Sequence, residues 1–265
     1  MSMTQNTSTS IPVSVFIIAQ NEEQHIARAI NSCKDFAEVI VVDSGSTDDT
    51  KTIAESLGAT VVHNDWPGYA RQKQYAMSLC KHDWVFNLDA DEEITPEVLE
   101  ATRAFVQQKT YVALKFRRND LFLGKFLPSY IRLPTNIRLF LKQHTQYYLD
   151  NLVHEGPGVK GKIKHTSAYF NHYGYSDIET IDRKYEYYST LKAQEKFNKG
   201  KRPSSIKLLL ISSLEFIRFF IVYRYCLAGF RGYILSKQAA NYAFLKEAKL
   251  YSCHQRQQHS RNKDS

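Results

Sequence analysis

Residues 11–50 read IPVSVFIIAQNEEQHIARAINSCKDFAEVIVVDSGSTDDT, and this stretch decides the fold. Val13–Ala19 is apolar except for Ser14, too continuous for a strand with one wet face, so a strand buried on both sides is expected. A helix is expected from about Glu22 to Ser32, a second strand over Glu38–Asp43, and a second helix over Thr47–Leu57. Ser, Thr and Asp residues that cap helix N-termini open that second helix. Working outward, Thr60–His63 reads as a strand, Gly68–Cys80 as a helix, Trp84–Leu88 as a strand, and Pro96 to about Gln107 as a helix. Such alternation builds right-handed βαβ units, so the fold class is α/β with a mostly parallel sheet flanked by helices.

The pattern then changes. Residues 111–170 hold short alternating segments (YVALKF, NIRLFL, YYLDNLVHE) separated by Gly and Pro, which read as strands and long loops. From Asp177 onward the sequence is mainly helical, with a joint expected at GKRPSS (200–205).

The net charge of +8 is unevenly spread. Residues 1–102 carry 6 basic and 16 acidic side chains, residues 103–164 carry 12 and 3, and residues 199–265 carry 13 and 3. A nucleic-acid binder would use the positive charge and the aromatic content, but it leaves the acidic first hundred residues unexplained, and no nucleic-acid motif is present. The four cysteines, Cys33, Cys80, Cys226 and Cys253, form no CxxC pair, so neither a zinc knuckle nor a disulfide framework is expected. Residues 1–12 are polar and read as no secretory signal. The most apolar stretch, Ile206–Ala228, is interrupted by Lys207, Glu215, Arg218 and Arg224, so no membrane span is expected there.

Open sheets bind ligands beyond the carboxyl ends of their strands. Polar residues gather at those ends: Gln20-Asn21-Glu22-Glu23, Asp43-Ser44-Gly45-Ser46 and Asp89-Ala90-Asp91-Glu92-Glu93. Asn21, Asp43 and Ser46 equally suit helix capping. Asp89 and Asp91, two residues apart after a buried strand, suit one hard divalent cation shared with substrate phosphates; the acidic first turn of a helix is the alternative. No GxxxxGK[ST] or GxGxxG loop occurs, so a diphosphate here needs other neutralisers. A metal, or Arg71 and Lys73 on the helix GYARQKQYA, would serve, unless those two only form a solvated face.

IPVSVFIIAQNEEQHIARAI, EVIVVDSGSTDDT, GYARQKQYA and WVFNLDADEEI, in this order, resemble the nucleotide-sugar domain of family 2 glycosyltransferases with the GT-A fold. VHEG, HYGY (172–175) and the C-terminal FIRFFIVYRYCLAGFRGYILSKQAANYAFLKEAKL further resemble the lipopolysaccharide-core β-glucosyltransferase subgroup. The resemblance implies that Ala19, Asn21 and Glu22 line the uracil and ribose pocket, that Asp43 accepts a hydrogen bond from the base, and that Ser44 lies nearby. Gln72 and Lys73, with Arg71, would approach the ribose–diphosphate, Asp89 and Ala90 would lie against the ribose, and Asp91, with Asp89, would meet Mg²⁺ or Mn²⁺. The family reaction inverts the anomeric centre and needs a general base on the acceptor side. Glu155 is the first choice; His154 would act instead or orient it, and Asp150 is the nearest rival. His165, His172 and Tyr173 would border the acceptor.

The expected organisation is a disordered N-terminus (1–12), a GT-A catalytic domain (13–175) and a helical region (176–252) ahead of a disordered tail (253–265). Within the catalytic domain, 13–102 would be the nucleotide-sugar half and 103–175 the acceptor half. The expected activity is transfer of a hexose, glucose from UDP-glucose, to the inner core of lipopolysaccharide. The basic aromatic region 199–251 fits an element lying on anionic lipid, or else a helix packed on the catalytic domain or another subunit. The expected location is peripheral, on the cytoplasmic face of the membrane. The same signals leave open a family 2 transferase for another glycan acceptor, and a binding module for nucleotide sugars or polyanions without catalysis.

Overall fold

The computed structural model describes residues 10–148, 156–175 and 177–263, with side chains through residue 259. The described residues fall into two compact units: 10–119 with 134–148 and 156–172, and 120–133 with 173–175 and 177–263.

In the first unit the strands are β1 (Ile11–Ala19), β2 (Phe36–Asp43), β3 (Thr60–His63) and β4 (Trp84–Asn87), interleaved with helices α1 (Ile26–Asn31), α2 (Thr50–Ser56) and α3 (Tyr69–Leu79). The chain continues through β5 (Glu92–Glu93), α4 (Pro96–Phe105), β6 (Ala113–Phe122), β7 (Lys125–Phe126), β8 (Thr135–Leu141), β9 (Thr145–Gln146), β10 (Gly158–Val159) and β11 (Ile163–His172). The sheet order is β3-β2-β1-β4-β8-β6-β11-β5. β3, β2, β1 and β4 run parallel, and β8 then pairs antiparallel with both β4 and β6. β1 and β4 are therefore neighbours although β2 and β3 lie on the other side of β1. The chain order reverses there, which makes the C-terminal ends of β1 and β4 a topological switch point.

β1 sits between two partners and is covered on both faces, as its apolar run requires. Its one polar side chain, Ser14, is fully buried and satisfied: Oγ donates to Glu38 Oε2 at 2.6 Å and accepts from the His82 N–H at 3.1 Å. One face of the sheet packs Val15, Ile17, Phe86 and Phe116 against Ile26, Val98 and Phe105; the other packs Phe16, Ile18 and Phe140 against Ala76 and Met77 of α3.

The four strands expected within residues 13–88 are present, with ends shifted by up to two residues; the strand read at YVALKF (111–116) runs from Ala113 to Phe122, and YYLDNLVHE lies mostly outside the described residues. α1 begins at Ile26 rather than Glu22, because the backbone of 21–23 is committed to another loop, described below. α4 opens with Pro96 at its first position, where the missing N–H costs nothing.

The second unit contains α5 (Ile178–Asn198), α6 (Ser205–Ile217), a π-helical turn (Arg218–Val222), a short 3₁₀ turn (Tyr225–Ala228) and α7 (Gly229–Lys263). Asp177 caps α5 by accepting the Thr180 N–H at 2.7 Å. One carboxylate links three helices: Glu247 of α7 accepts from Lys196 of α5 at 2.5 Å and lies 3.0 Å from Lys207 of α6.

Two expectations about boundaries change. Residues 120–133, assigned with the acceptor half, group with the helices: Leu127, Ile131 and Leu133 share a small core with Tyr225, and Arg231 donates to the Lys125 carbonyl at 2.8 Å. The tail expected to be disordered from residue 253 continues α7 to Lys263. It holds no Gly or Pro to stop a helix, and His254 packs edge-on against Phe197 of α5 at 4.9 Å.

Candidate active site

The loop after β1 is locked to the loop after β2. Asn21 has a left-handed backbone (φ 57°); its N–H donates to Ser46 Oγ at 2.9 Å, and its Oδ1 accepts the Thr47 N–H at 2.8 Å. The next two N–H groups continue the link, Glu22 to Thr50 Oγ1 at 2.7 Å and Glu23 to Asp48 at 3.2 Å. Asp43, buried at the end of β2, organises its own turn: its carboxylate accepts from the N–H groups of Gly45 and Ser46, both at 3.0 Å, and from Ser46 Oγ at 2.5 Å. Gly45 supplies the positive φ (85°) the turn needs.

Ser44 is braced from α3. Gln72, wholly buried, donates to Ser44 Oγ at 2.9 Å and to the Asn64 carbonyl at 3.0 Å, and accepts from Asn64 at 2.6 Å. Ala19, at the end of β1, and Ala90, shortly after β4, are both buried. The expected basic face of α3 is divided: Arg71 is exposed, whereas Lys73 is buried and donates to Asp89 Oδ1 at 2.9 Å.

Asp89 takes a second cation on its other oxygen. Arg138, buried on β8, donates to Asp89 Oδ2 at 2.7 Å, to Glu92 Oε1, and to Asn87 Oδ1 at 3.3 Å. Asn87 also accepts from the Tyr147 hydroxyl at 3.2 Å. Burial alone would raise the Asp89 pKa, but Arg138 and Lys73 outweigh it and hold the carboxyl well below the usual range. Burial pushes Glu92 up to about 7, with Asp89 reinforcing the rise and Arg138 opposing it. Asn87 Nδ2 and Arg138 Nε are buried without a hydrogen-bond partner among the described residues, leaving donor capacity beside Asp89.

Asp91 is placed differently. β5 pairs antiparallel with the end of β11, setting His172 opposite Glu92. This brings His172 Nε2 to 3.4 Å from Asp91 Oδ2, with the side chains 8% and 17% exposed. Asp89 and Asp91 were expected to share one cation. Two positive side chains on Asp89 oppose a divalent ion there, while Asp91 and His172 offer an oxygen and a nitrogen donor at one point. Among the described residues no three His, Cys, Asp or Glu side chains converge. The Asp91 carboxylate fits an ion such as Mg²⁺ that takes most of its ligands from substrate phosphates and water, whereas the His172 nitrogen is a ligand for softer ions than Mg²⁺.

Sequence reasoning gave no role to Arg138, Glu92, Asn87 or Tyr147, and it set His172 at the acceptor without pairing it with Asp91. The signal for His172 was its place at the end of the last strand; Arg138 carried none beyond being a lone cation in an apolar strand. Glu155, His154 and Asp150 lie outside the described residues.

A sheet with a switch point between β1 and β4, and a polar, charged crevice at that point, defines an α/β ligand-binding domain of the open-sheet kind. The family model for glycosyl transferase family 2 matches residues 14–173, and the chain belongs to that family. The lipopolysaccharide core biosynthesis glycosyltransferase LpsC of Rhizobium meliloti is 34% identical over 257 residues, covering 92% of this chain and 93% of that protein. A glycosyltransferase of Rickettsia typhi is 37% identical over 252 residues, covering 90% and 86%. Among solved structures, Staphylococcus aureus TarS in complex with UDP aligns over 90% of this chain and 88% of that one, at 18% identity and a TM-score of 0.48. The GT-A class expected from the sequence, a mixed α/β domain followed by helices, is the class observed.

Proposed function

We propose that this family 2 glycosyltransferase is an inverting, metal-assisted hexosyltransferase that moves glucose from UDP-glucose onto the inner core of lipopolysaccharide. The observation that carries the donor half is the crevice at the β1–β4 switch point, where Asp43, Asp89 and the Asp91–His172 pair stand together at strand ends. The acceptor half rests on the LpsC relative, similar along nearly the whole chain.

The proposed roles rest on the resemblance to family 2, and the contacts of the described residues support them. Asn21, Glu22, Asp43 and Ser44 belong to the interlocked loops after β1 and β2, and form the side that takes the nucleoside. Asp89, fixed by two cations, presents a rigid carboxylate toward the ribose. Asp91 and His172 would hold the divalent cation, which when bound offsets charge on the departing nucleoside diphosphate. Arg71, exposed at the start of α3, adds positive charge toward that diphosphate. Glu155 is the proposed base that takes the proton from the acceptor hydroxyl, with His154 orienting it.

The helical unit supports placement at a membrane surface. Ile206, Leu209, Leu214, Ile221 and Phe230 are all more than half exposed, with Leu209 at 78% and Phe230 at 87%, and Lys207, Arg218 and Arg231 lie among them in sequence. An exposed apolar face of this extent beside basic residues fits the interface of an anionic bilayer. Among the described residues no helix is long and apolar enough to cross a membrane.

The test is a panel of nucleotide sugars with Mn²⁺ or Mg²⁺, assayed on core glycolipids truncated at successive sugars. Transfer of glucose from UDP-glucose to one truncation and not to the next shorter one is the expected result. Turnover with another donor, or on non-lipopolysaccharide glycans alone, would overturn the assignment.

A further inference from the structure

The helical unit holds a cavity of about 320 Å³, separate from the crevice described above. Three of its walls are tyrosine rings. Tyr185 and Tyr242 lie 4.8 Å apart between centroids, and Tyr175 meets Tyr185 edge-on at 6.4 Å. Ala239 and Ala243 of α7, both buried, supply small side chains that leave the space open.

The charges around the cavity do not balance. Arg218 is matched by Glu215 at 3.2 Å. Lys246 is half-buried, its ammonium rests 4.6 Å from the Tyr242 ring centroid, and no carboxylate among the described residues lies within ion-pair distance of it. The adjacent Glu247 is already shared by Lys196 and Lys207. Burial, and then the neighbouring Lys196, depress the Lys246 pKa, and the more distant Glu215 and Glu247 offset this only in part; a bound anion would favour the charged form. A volume at the lower end of the range for small-molecule sites, aromatic walls and one unmatched cation describe a ligand with a compact ring and a negative group. Phenol rings offer a flat apolar face and a hydroxyl on the same side chain, which suits a sugar ring with its C–H face and hydroxyl edge.

We infer that this cavity is a subsite for an anionic sugar, a pyranose bearing a carboxylate or a phosphate, with Tyr185 and Tyr242 against the ring and Lys246 on the charge. The inference rests on the transferase reading in one respect: it makes the ligand a residue of the acceptor glycan.

The test is calorimetric titration of the full chain with galacturonate, glucose 6-phosphate, neutral galactose and glucose, and inorganic phosphate. At least one anionic sugar should bind about tenfold or more tightly than its neutral counterpart, as a charge-assisted contact implies. Lys246→Gln should remove that preference and Lys246→Arg should restore it. Tyr242→Leu should weaken charged and neutral sugars alike, and serves if Lys246→Gln fails to fold. Equal binding of charged and neutral sugars, inorganic phosphate binding as tightly as the sugar phosphate, or an unchanged preference in Lys246→Gln would overturn the inference. UDP binding, measured alongside on the unmodified chain, reads the donor site separately: its absence counts against the transferase reading and leaves the sugar titration to decide the cavity.

Discussion

Arg138 and Asp89 lie 49 positions apart in sequence and form a 2.7 Å ion pair just beyond the C-terminal end of β4. The same guanidinium holds Glu92, so one cation from β8 sets the position of two carboxylates after β4. Removing one partner of a buried pair leaves an uncompensated charge. Arg138→Met should therefore cost about 3–5 kcal/mol of stability, read from the urea unfolding midpoint, and a loss under about 1 kcal/mol, the scale of an exposed pair, would show the pair to be solvated.

Gly45 sets the turn in which Asp43 accepts two backbone N–H groups. Gly45→Ala forces a side chain into a left-handed backbone and should cost about 1–2 kcal/mol. Thermal unfolding reads that cost, and donor affinity should fall with it, since the turn is part of the proposed nucleoside side. A variant as stable as the parent would mean the loop has another conformation open to it.

Glu247 gives a pH dependence with a definite sign. Burial raises its pKa, but the bonds from Lys196 and Lys207 prevail and lower it. Its contribution is complete above the unfolded-state value of about 4.3 and is lost as pH falls through the lower folded-state value. Acid should thus loosen α5, α6 and α7. In Glu247→Gln, the unfolding midpoint should be lower at neutral pH and should change less on acidification; a parallel shift at every pH would contradict this.

Thiol chemistry should divide the cysteines. Burial pushes Cys33 and Cys80 up to about 12, with Glu38 adding to the effect at Cys80, whereas Cys226 and Cys253 are only half-buried. Thiolate is the reactive form, so iodoacetamide at about pH 8 should modify Cys226 and Cys253 first. Mass spectrometry should find Cys33 and Cys80 labelled only after unfolding; early labelling of either would mean that the sheet opens locally.

Exposed apolar side chains on α6 and at the start of α7 should drive vesicle binding. Each Leu or Phe buried in lipid contributes about 1.5–3 kcal/mol. Leu209→Ser with Phe230→Ser should therefore lower partitioning to anionic vesicles about tenfold or more, with little change in thermal stability. Undiminished flotation would remove the membrane role from this face.

The strands and their polar ends were legible because each is a local pattern: IPVSVFIIA, EVIVVD and WVFN are apolar runs that end in polar residues. The proposed donor site follows from the rule that ligands sit beyond strand ends. Arg138 was not legible. In NIRLFL it alternates like a residue on a solvated face, and only the antiparallel addition of β8 beside β4 turns it onto Asp89. The pairing of His172 with Asp91 was not legible, because it depends on the two-residue strand β5, too short to leave a periodic signal. The start of α1 was missed for a similar reason: the bonds that hold 21–23 out of the helix come from residues about 25 positions away. The far end of α7 was lost to composition, since SCHQRQQHSRNK is polar enough to suggest disorder but contains no residue that stops a helix.

The most direct test of the donor site is calorimetric titration of UDP in the presence of Mn²⁺, comparing the unmodified chain with Asp91→Asn. The account predicts one UDP bound per chain, with affinity lowered about tenfold or more in the variant and thermal stability nearly unchanged. Equal UDP affinity in the two proteins, or no UDP binding by either, would contradict it.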